Sequence, residues 1–600
     1  MNERTKTALE ILQVSALIGI LGNLLLRQTP WGLNALLFVT VFVAGLLMLL
    51  RKRRPALITL NTIALCGAMV FFSSMFVLRD SIELRVYDTF AIFVIMGVIL
   101  LVNLNVKANV AGVFHYAVGF IWSGLTSTLG AFMLLGSDID WKAMPGNKIS
   151  KHVFAVLRGI AIALPLLLIF GALFMAADAV FEGWVNRAIN FDLEKIVSHV
   201  MITSVFAWLT AGYFRGAMAS PIFPAAAASA STVPSVTIVP NEEPSKNTEA
   251  AVEEKKDATS FVAKVAAEPG EEPATLPNSA TVVEHINRSD PPHSKTEEPK
   301  EGAAPNPDPK KRNWPNFDNS VMPSGFTLGT IETVIILGLV DLLFISFVAI
   351  QVPYLFGGMD LVQNTPDFKL AEYARRGFGE LVVVAALVLP MLLASHWLLR
   401  RGSGGLEKLF RVLAGLQIAL LFVIMASAVQ RLLLLTGELG YGMTTVRFYP
   451  MVVMTWLAVV FIWFLLTVFR GARKHFAWGA LWSAIVILGV TNLINPDKLI
   501  VQTNLKLMHQ GRQFDGDYNA HLSADSIPTI LEALPYMSPE DQCDVKFALD
   551  NHRLNHFNGD GDLRSFSFSR SSALSDLEAN SAAIRNTDGC VEAGKLLLSD

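Results

Sequence analysis

Apolar residues run along this chain in long unbroken stretches rather than in alternation. Twelve stretches stand out: residues 8–26, 31–50, 56–78, 86–104, 110–135, 153–175 and 196–214, then 326–350, 378–399, 410–432, 448–469 and 477–493. An α-helix needs about 20 apolar residues to cross the hydrocarbon of a bilayer. Strands of a membrane barrel alternate and are about half as long. Helices are therefore predicted, because they pair their own backbone groups where no water can. The fold class expected is all-α: a polytopic transmembrane helix bundle of about 11–12 spans with a small, mostly helical C-terminal domain. Arg4 and Lys6 before the first stretch suit a signal peptide, but Leu24-Leu25-Leu26-Arg27 offers no small-residue cleavage site. That stretch is read as a retained first span.

Polar segments divide the chain into four parts. Residues 1–216 form a first helical block and residues 325–494 a second. Residues 217–324 between them are rich in Pro, Glu, Lys and Ser, as in Glu242-Glu243-Pro244 and Lys310-Lys311-Arg312. Such a composition buries too little surface to offset chain entropy, so a disordered linker is expected, either a docking segment or a tolerated insertion. Residues 495–600 are mixed in character and read as a folded tail. In it, Ser523-Ala524-Asp525 before Ile527-Pro528 reads as a helix start. Ser538-Pro539-Glu540-Asp541 reads as a clearer one, with Ser at the cap, Pro next and acids in the first turn.

Charge then orients the blocks. Lys and Arg favour cytoplasmic loops, and three clusters stand out: Arg51 to Arg54; Arg400, Arg401, Lys408 and Arg411; and Arg470, Arg473 and Lys474. Placing all three inside puts the N-terminus inside and the tail outside. Seven stretches separate the first cluster from the second, and an odd number cannot return the chain to the same side. One stretch must not cross. Residues 110–135 are the suspect, with His115 inside the run and Gly119, Ser123, Gly124, Ser127 and Gly130 along it. A re-entrant hairpin is expected there.

Composition agrees with a membrane protein: 52% of the 600 residues are hydrophobic and 16% charged, against about 25% charged in soluble chains. The formal net charge is -3, so no global basic field points to nucleic acid as a partner. The bilayer itself is the first partner expected, with an envelope lipid or protein as a further one. Phosphate-loop, HExxH, GxSxG and zinc-type Cys spacings are all missing from the sequence, and no cofactor or metal is predicted. Of the three cysteines, Cys543 and Cys590 share the tail. They are either a disulfide, closing a loop worth roughly 4 kcal/mol on the chain-entropy model, or two unrelated thiols.

An ionisable group inside a span is costly and points to function. Asp341, near the middle of 326–350, is the sharpest case. It could bind a cation, relay protons or pair with an arginine of another helix. Asp178, Glu182, Arg187, Asp192, Glu194 and Lys195, interleaved with Phe181, Trp184 and Phe191, read as an amphipathic segment in the interface.

Several short motifs resemble a bacterial membrane protein family, the one catalogued as domain of unknown function 4173. They are Tyr373-Ala374-Arg375-Arg376-Gly377-Phe378-Gly379-Glu380-Leu381, Ala176-Ala177-Asp178-Ala179-Val180-Phe181, and Tyr441-Gly442-Met443-Thr444 followed by Arg447-Phe448-Tyr449. In the tail, Asn495-Pro496-Asp497 with Asn504, Leu522-Ser523-Ala524-Asp525 with Pro528, and Asp562-Leu563-Arg564-Ser565-Phe566 are similar to the same family. The resemblance implies a polytopic fold in a bacterial inner membrane and no particular reaction. Read physically, Asp178, Tyr373, Arg375, Arg376, Glu380, Tyr441 and Arg447 fall on the side assigned outside and form a candidate outward-facing polar cluster. It would bind lipid or polysaccharide phosphate, or serve as a salt-bridge cluster at helix ends. Three functions follow: a transporter or channel-like protein for an ion or envelope solute, which leads; a membrane-embedded enzyme acting on a lipid-linked substrate at the outer face; and an envelope scaffold or sensor.

Overall fold

The computed structural model describes residues 3–27, 30–101, 106–140, 193–218, 328–356, 378–399, 404–438, 442–555, 562–586 and 590. The chain divides into one unit of residues 1–225 and 313–600 and a second of residues 226–312. The second, with most of the expected linker, lies outside the described residues, as does the stretch 153–175.

The first unit is helical. The first block contributes α1 (Glu3–Leu26), α2 (Leu33–Arg53), α3 (Leu60–Leu78), α4 (Ile82–Ile99), α5 (Val113–Met133) and α6 (Leu193–Met218). The second contributes α7 (Thr330–Phe356), α8 (Phe378–Leu398), α9 (Gly404–Leu433), α10 (Thr445–Thr467) and α11 (Phe476–Ile494). The tail holds α12 (Pro496–His509), α13 (Gly516–Ala520), α14 (Ile527–Ala533), α15 (Pro539–Asn555), α16 (Phe568–Ala579) and α17 (Ser581–Arg585). Ten helices among the described residues are long and apolar enough to cross a membrane. The fold is an all-α polytopic bundle. Many of its large apolar side chains, such as Phe93, Ile121, Leu342 and Leu343, face outward, as a lipid solvent allows.

Because lipid is as apolar as leucine, helices in a bilayer are held by close packing and polar contacts rather than by exclusion of water. Small residues therefore matter. A Cβ on Gly97 of α4 would lie 2.8 Å from the Cα of Phe120 on α5, and one on Gly130 of α5 would lie 2.7 Å from the Gly212 carbonyl oxygen of α6. One core gathers Phe42, Leu46, Phe72, Ile95 and Phe214 of the first block, with Trp478, Leu481 and Leu488 of α11 packed against it. A second gathers Leu337, Leu392, Phe410, Phe461 and Phe464 of the second block. The tail has its own core around Ile500, Ile527, Ile530, Leu549 and Leu577.

Polar contacts identify which helix ends share a face. At one face, Arg53 at the end of α2 holds Glu10 (2.7 and 2.8 Å) and Glu3 (2.9 Å) at the start of α1. At the other, Arg79 after α3 donates to the carbonyls of Asn492 (2.8 Å) and Leu493 (3.1 Å) at the end of α11. The tail docks on this second face: Leu33 N–H donates to Phe566 O (2.9 Å), and Arg564 donates to Leu24 O (2.6 Å). Following the helices from face to face places Arg51 to Arg53, then Lys408 and Arg411, then Arg470, Arg473 and Lys474 all on the first, basic face.

The expected hairpin at 110–135 is corrected. α5 is one continuous helix without a reversal, extended by the widened turn Leu134–Asp138. Its small residues serve the close approaches to α4 and α6, not a bend. Both of its ends nevertheless meet the basic face. Before it, the Asn109 carbonyl contacts His475 Nδ1 (3.1 Å) at the start of α11. After it, Asp138 accepts from Arg4 Nε (2.9 Å) and Arg215 Nε (2.6 Å). Residues flanking both ends of α5 thus contact the basic face, although Val113–Asp138 is also long and apolar enough to cross a membrane. His115, in its first turn, accepts from Gly112 N–H (3.2 Å) and so caps the helix it begins.

Helix starts in the tail follow local chemistry. Ser538 accepts from Asp541 N–H (3.1 Å), which caps the helix, and its hydroxyl donates to the Asp541 carboxylate (2.7 Å). Asn495 adopts φ 61° and accepts from Lys498 N–H (3.2 Å), which turns the chain from α11 into α12. Ser523, expected to open a helix, instead donates to Asp497, and α14 begins at Ile527 behind Ser526.

Candidate functional site

Asp341 lies on α7 between Leu337 and Phe344, both members of the second core, and it is 2% exposed. Neither of its carboxylate oxygens has a hydrogen-bond partner among the described residues. On α9, which packs against α7, Gln417 sits between Ala414 and Leu421 of the same core, fully buried, and both polar atoms of its amide are also without partners. Burying an amide without a hydrogen bond costs roughly 1–3 kcal/mol by mutational data, and an isolated carboxylate costs far more. An acid in this position is stable with a proton or with a bound cation. Near the basic end of α8, His396 stacks on Phe410 with ring centroids 5.2 Å apart, its Nδ1 unbonded.

A second constellation lies where the tail meets the bundle. Asp525, 3% exposed in its side chain, accepts from Arg79 Nη1 (3.2 Å), from Asp80 N–H (2.7 Å) and from Asn495 Nδ2 (3.3 Å). Asp80 in turn takes Arg85 (2.5 Å) and faces Arg570 at 3.4 Å. Burial pushes the Asp80 carboxyl up, while Arg85 and Arg570 pull it back; burial also lowers the Arg570 guanidinium to about 10. Asp497, at the start of α12, accepts from the Ser523 hydroxyl, and its Oδ1 has no hydrogen-bond partner among the described residues. Burial raises it to about 6; the Ser523 bond opposes that, and the charges of Asp525 and Glu83 add to it. Tyr449 on α10 meets Ser81 (3.3 Å), and Asn492 Nδ2 donates to Asp88 on α4 (2.9 Å). Nearby, Asn504 reads the backbone of the 442–444 turn, accepting from Met443 N–H (2.5 Å) and donating to its carbonyl (2.9 Å). Gly442, at φ 69°, makes that turn; a Cβ there would come within 2.8 Å of Asn504 Oδ1. Among the described residues no group of three His, Cys, Asp or Glu is placed to hold a metal ion.

Of the seven residues expected in an outward-facing cluster, Asp178, Tyr373, Arg375, Arg376 and Tyr441 lie outside the described residues. Glu380 stands in the first turn of α8. Arg447, in the first turn of α10 on the tail face, donates to the Gly442 carbonyl. Cys543 and Cys590 form a disulfide, with Cα atoms 5.4 Å apart. Sequence reasoning missed the junction of Asp80, Asp497 and Asp525 as a unit. Its signal was present: Asp497, Ser523, Asp525, Asn504 and Tyr449 all belong to the short motifs that suggested a family, and the fold brings them to one place.

A family model matches residues 66–241 and 291–533, described as a domain of unknown function, DUF4153. The chain belongs to that family. The number differs from the 4173 suggested by the short motifs, and the correction leaves the expectation of an uncharacterised membrane family in place. The matched residues include Asp341, Asp497 and Asp525; Cys543, Arg570 and Cys590 lie beyond them. No curated protein and no solved structure matches the chain.

Proposed function

We propose that this integral membrane protein is a transporter or channel-like protein, and that Asp341 carries the transported or coupling cation. The observation that supports this reading is a carboxylic acid 2% exposed within a membrane-spanning helix, neither oxygen of which is hydrogen-bonded. An intramembrane acid kept at such cost marks an ion or proton pathway. A purely structural acid would be expected to pair, as Asp138 does with Arg4 and Arg215. Gln417 supplies neutral oxygen and nitrogen atoms that a dehydrated cation or its solute could use.

The reading is tested with the full chain in proteoliposomes. Imposed proton and sodium gradients should drive an ion flux, and Asp341→Asn should reduce it at least tenfold while leaving the protein folded. An equal flux in wild type and variant would remove the proposal.

The orientation belongs to the same reading. With the basic face cytoplasmic, the tail face and its disulfide are exported, where thiols oxidise. In intact cells a membrane-impermeant maleimide should label Cys543 and Cys590 only after reduction. Labelling that needs opened cells would reverse the orientation.

A further inference from the structure

The first block encloses a cleft that its packing leaves open. It runs between α2, α3, α4, α5 and α6 and has a volume of about 480 Å³, within the roughly 300–1,000 Å³ range of ligand sites. One end reaches Leu26 and Trp31 at the tail face; the other reaches Met96 and Tyr213 toward the basic side. Its wall offers almost no polarity. The hydroxyls of Ser73, Thr89, Ser127, Thr128 and Tyr213 reach it, and each donates to a backbone carbonyl at 2.7–3.0 Å. Apart from Ser123 and Thr210, the remaining wall is aromatic and aliphatic, with Gly124. Gly124 lines the cleft, and a Cβ added there would meet nothing within 4 Å. A space of this kind at hydrocarbon depth excludes water and fits a saturated or unsaturated chain.

The tail-face end differs. Arg27 follows Leu26 directly, is exposed, and has no carboxylate partner among the described residues. Trp31 stands at the same mouth, 39% exposed, its indole N–H donating to Leu26 O (3.3 Å). A tryptophan lining the mouth, with an exposed arginine next in sequence to the lining residue Leu26, is the setting of a lipid headgroup.

We propose that the cleft binds one acyl chain of an anionic phospholipid, with the phosphate held at Arg27. The site is separate from Asp341 and stands or falls independently of the transport reading.

The test uses phosphatidylglycerol carrying a photoreactive diazirine in its acyl chain, mixed into phosphatidylcholine vesicles with the full chain. Illumination should label peptides of α3, α5 and α6 that line the cleft, and excess unlabelled phosphatidylglycerol should compete. Gly124→Phe should fill the space and bring this labelling down to that of the outer lipid-facing surface, with thermal unfolding unchanged or raised. Arg27→Gln should retain acyl labelling but remove a preference of about fivefold for phosphatidylglycerol over phosphatidylcholine, the effect of roughly one basic group beside an anionic lipid. The proposal is overturned by label spread evenly over lipid-facing helices, by lack of competition in wild type, or by a headgroup preference that survives Arg27→Gln. The competition arm does not depend on whether either variant folds.

Discussion

In the first helical block Asp138 is held between Arg4 and Arg215, and Glu10 between Lys52 and Arg53. In the second, Asp341 and Gln417 are more deeply buried and, among the described residues, have no hydrogen-bond partner. The first block pairs the charges at its helix ends, holds the buried Asp88 of α4 by a hydrogen bond from Asn492, and joins its helices through glycines that let backbones touch. Among the described residues it leaves the Ser15 hydroxyl, the Trp122 indole and the Nε of Arg85 without hydrogen-bond partners, and no acid. The second block places an acid in the middle of its core. Polar groups that serve a fold end up paired, because an unpaired one costs stability and returns none. Polar groups that serve an exchangeable partner are left open for it. On the proposed reading the second block carries the chemistry and the first supports it.

Substitutions should separate the two kinds of site. The largest effect on stability is expected for Arg215→Ala, which leaves Asp138 with Arg4 alone at a half-buried position; a loss of about 3 kcal/mol is expected in denaturant unfolding. Wild-type stability in that variant would break the comparison on the scaffold side. Gly130→Val should cost about 2 kcal/mol, since its new methyls meet the Gly212 backbone and overpacking of this kind is not relieved by a rotamer.

The tail junction gives a pH-dependent test. Asp497 titrates near 6 in the folded protein, above its ordinary value near 4. The folded state therefore binds the proton more tightly than the released tail does. Its contribution is greatest below pH 4 and is lost as pH rises through about 6. Protease cleavage of the tail should accelerate by about tenfold between pH 5 and 7.5, and Asp497→Asn should flatten that profile. A profile in which acid promotes cleavage would contradict the burial of Asp497. The smallest change in stability, within about 1 kcal/mol and toward greater stability, is expected for Asp341→Leu, which replaces an unpartnered acid with an apolar side chain. A large loss would mean that Asp341 has a structural partner.

Much of this architecture is legible in the chain. The apolar stretches locate the helices, and the basic clusters at Arg51, Lys408 and Arg470 do share one face. Ser538 caps its helix as its neighbours imply. The positive-inside rule calls for one stretch that does not cross, but does not say how. A helix and a hairpin of the same composition look alike, and only the structure shows α5 as one continuous helix whose flanking residues Asn109 and Asp138 both contact the basic face. Asp341 stands out by residue type and depth alone; its lack of partners needs coordinates. The junction was hidden for another reason. Arg79 and Asp525 are 446 residues apart, and Asn492 and Asp88 are 404 apart. No local pattern joins such pairs, so their motifs could be noticed one by one without showing that they meet.

The central claim is that Asp341 is an open acid awaiting an exchangeable partner. Infrared difference spectroscopy on the reconstituted protein, with and without saturating sodium or a step in pH, addresses it directly. The account predicts a protonated-carboxyl band that diminishes on cation binding or deprotonation and is missing in Asp341→Asn. A spectrum with no such band, or with one that persists unchanged in Asp341→Asn, would contradict it.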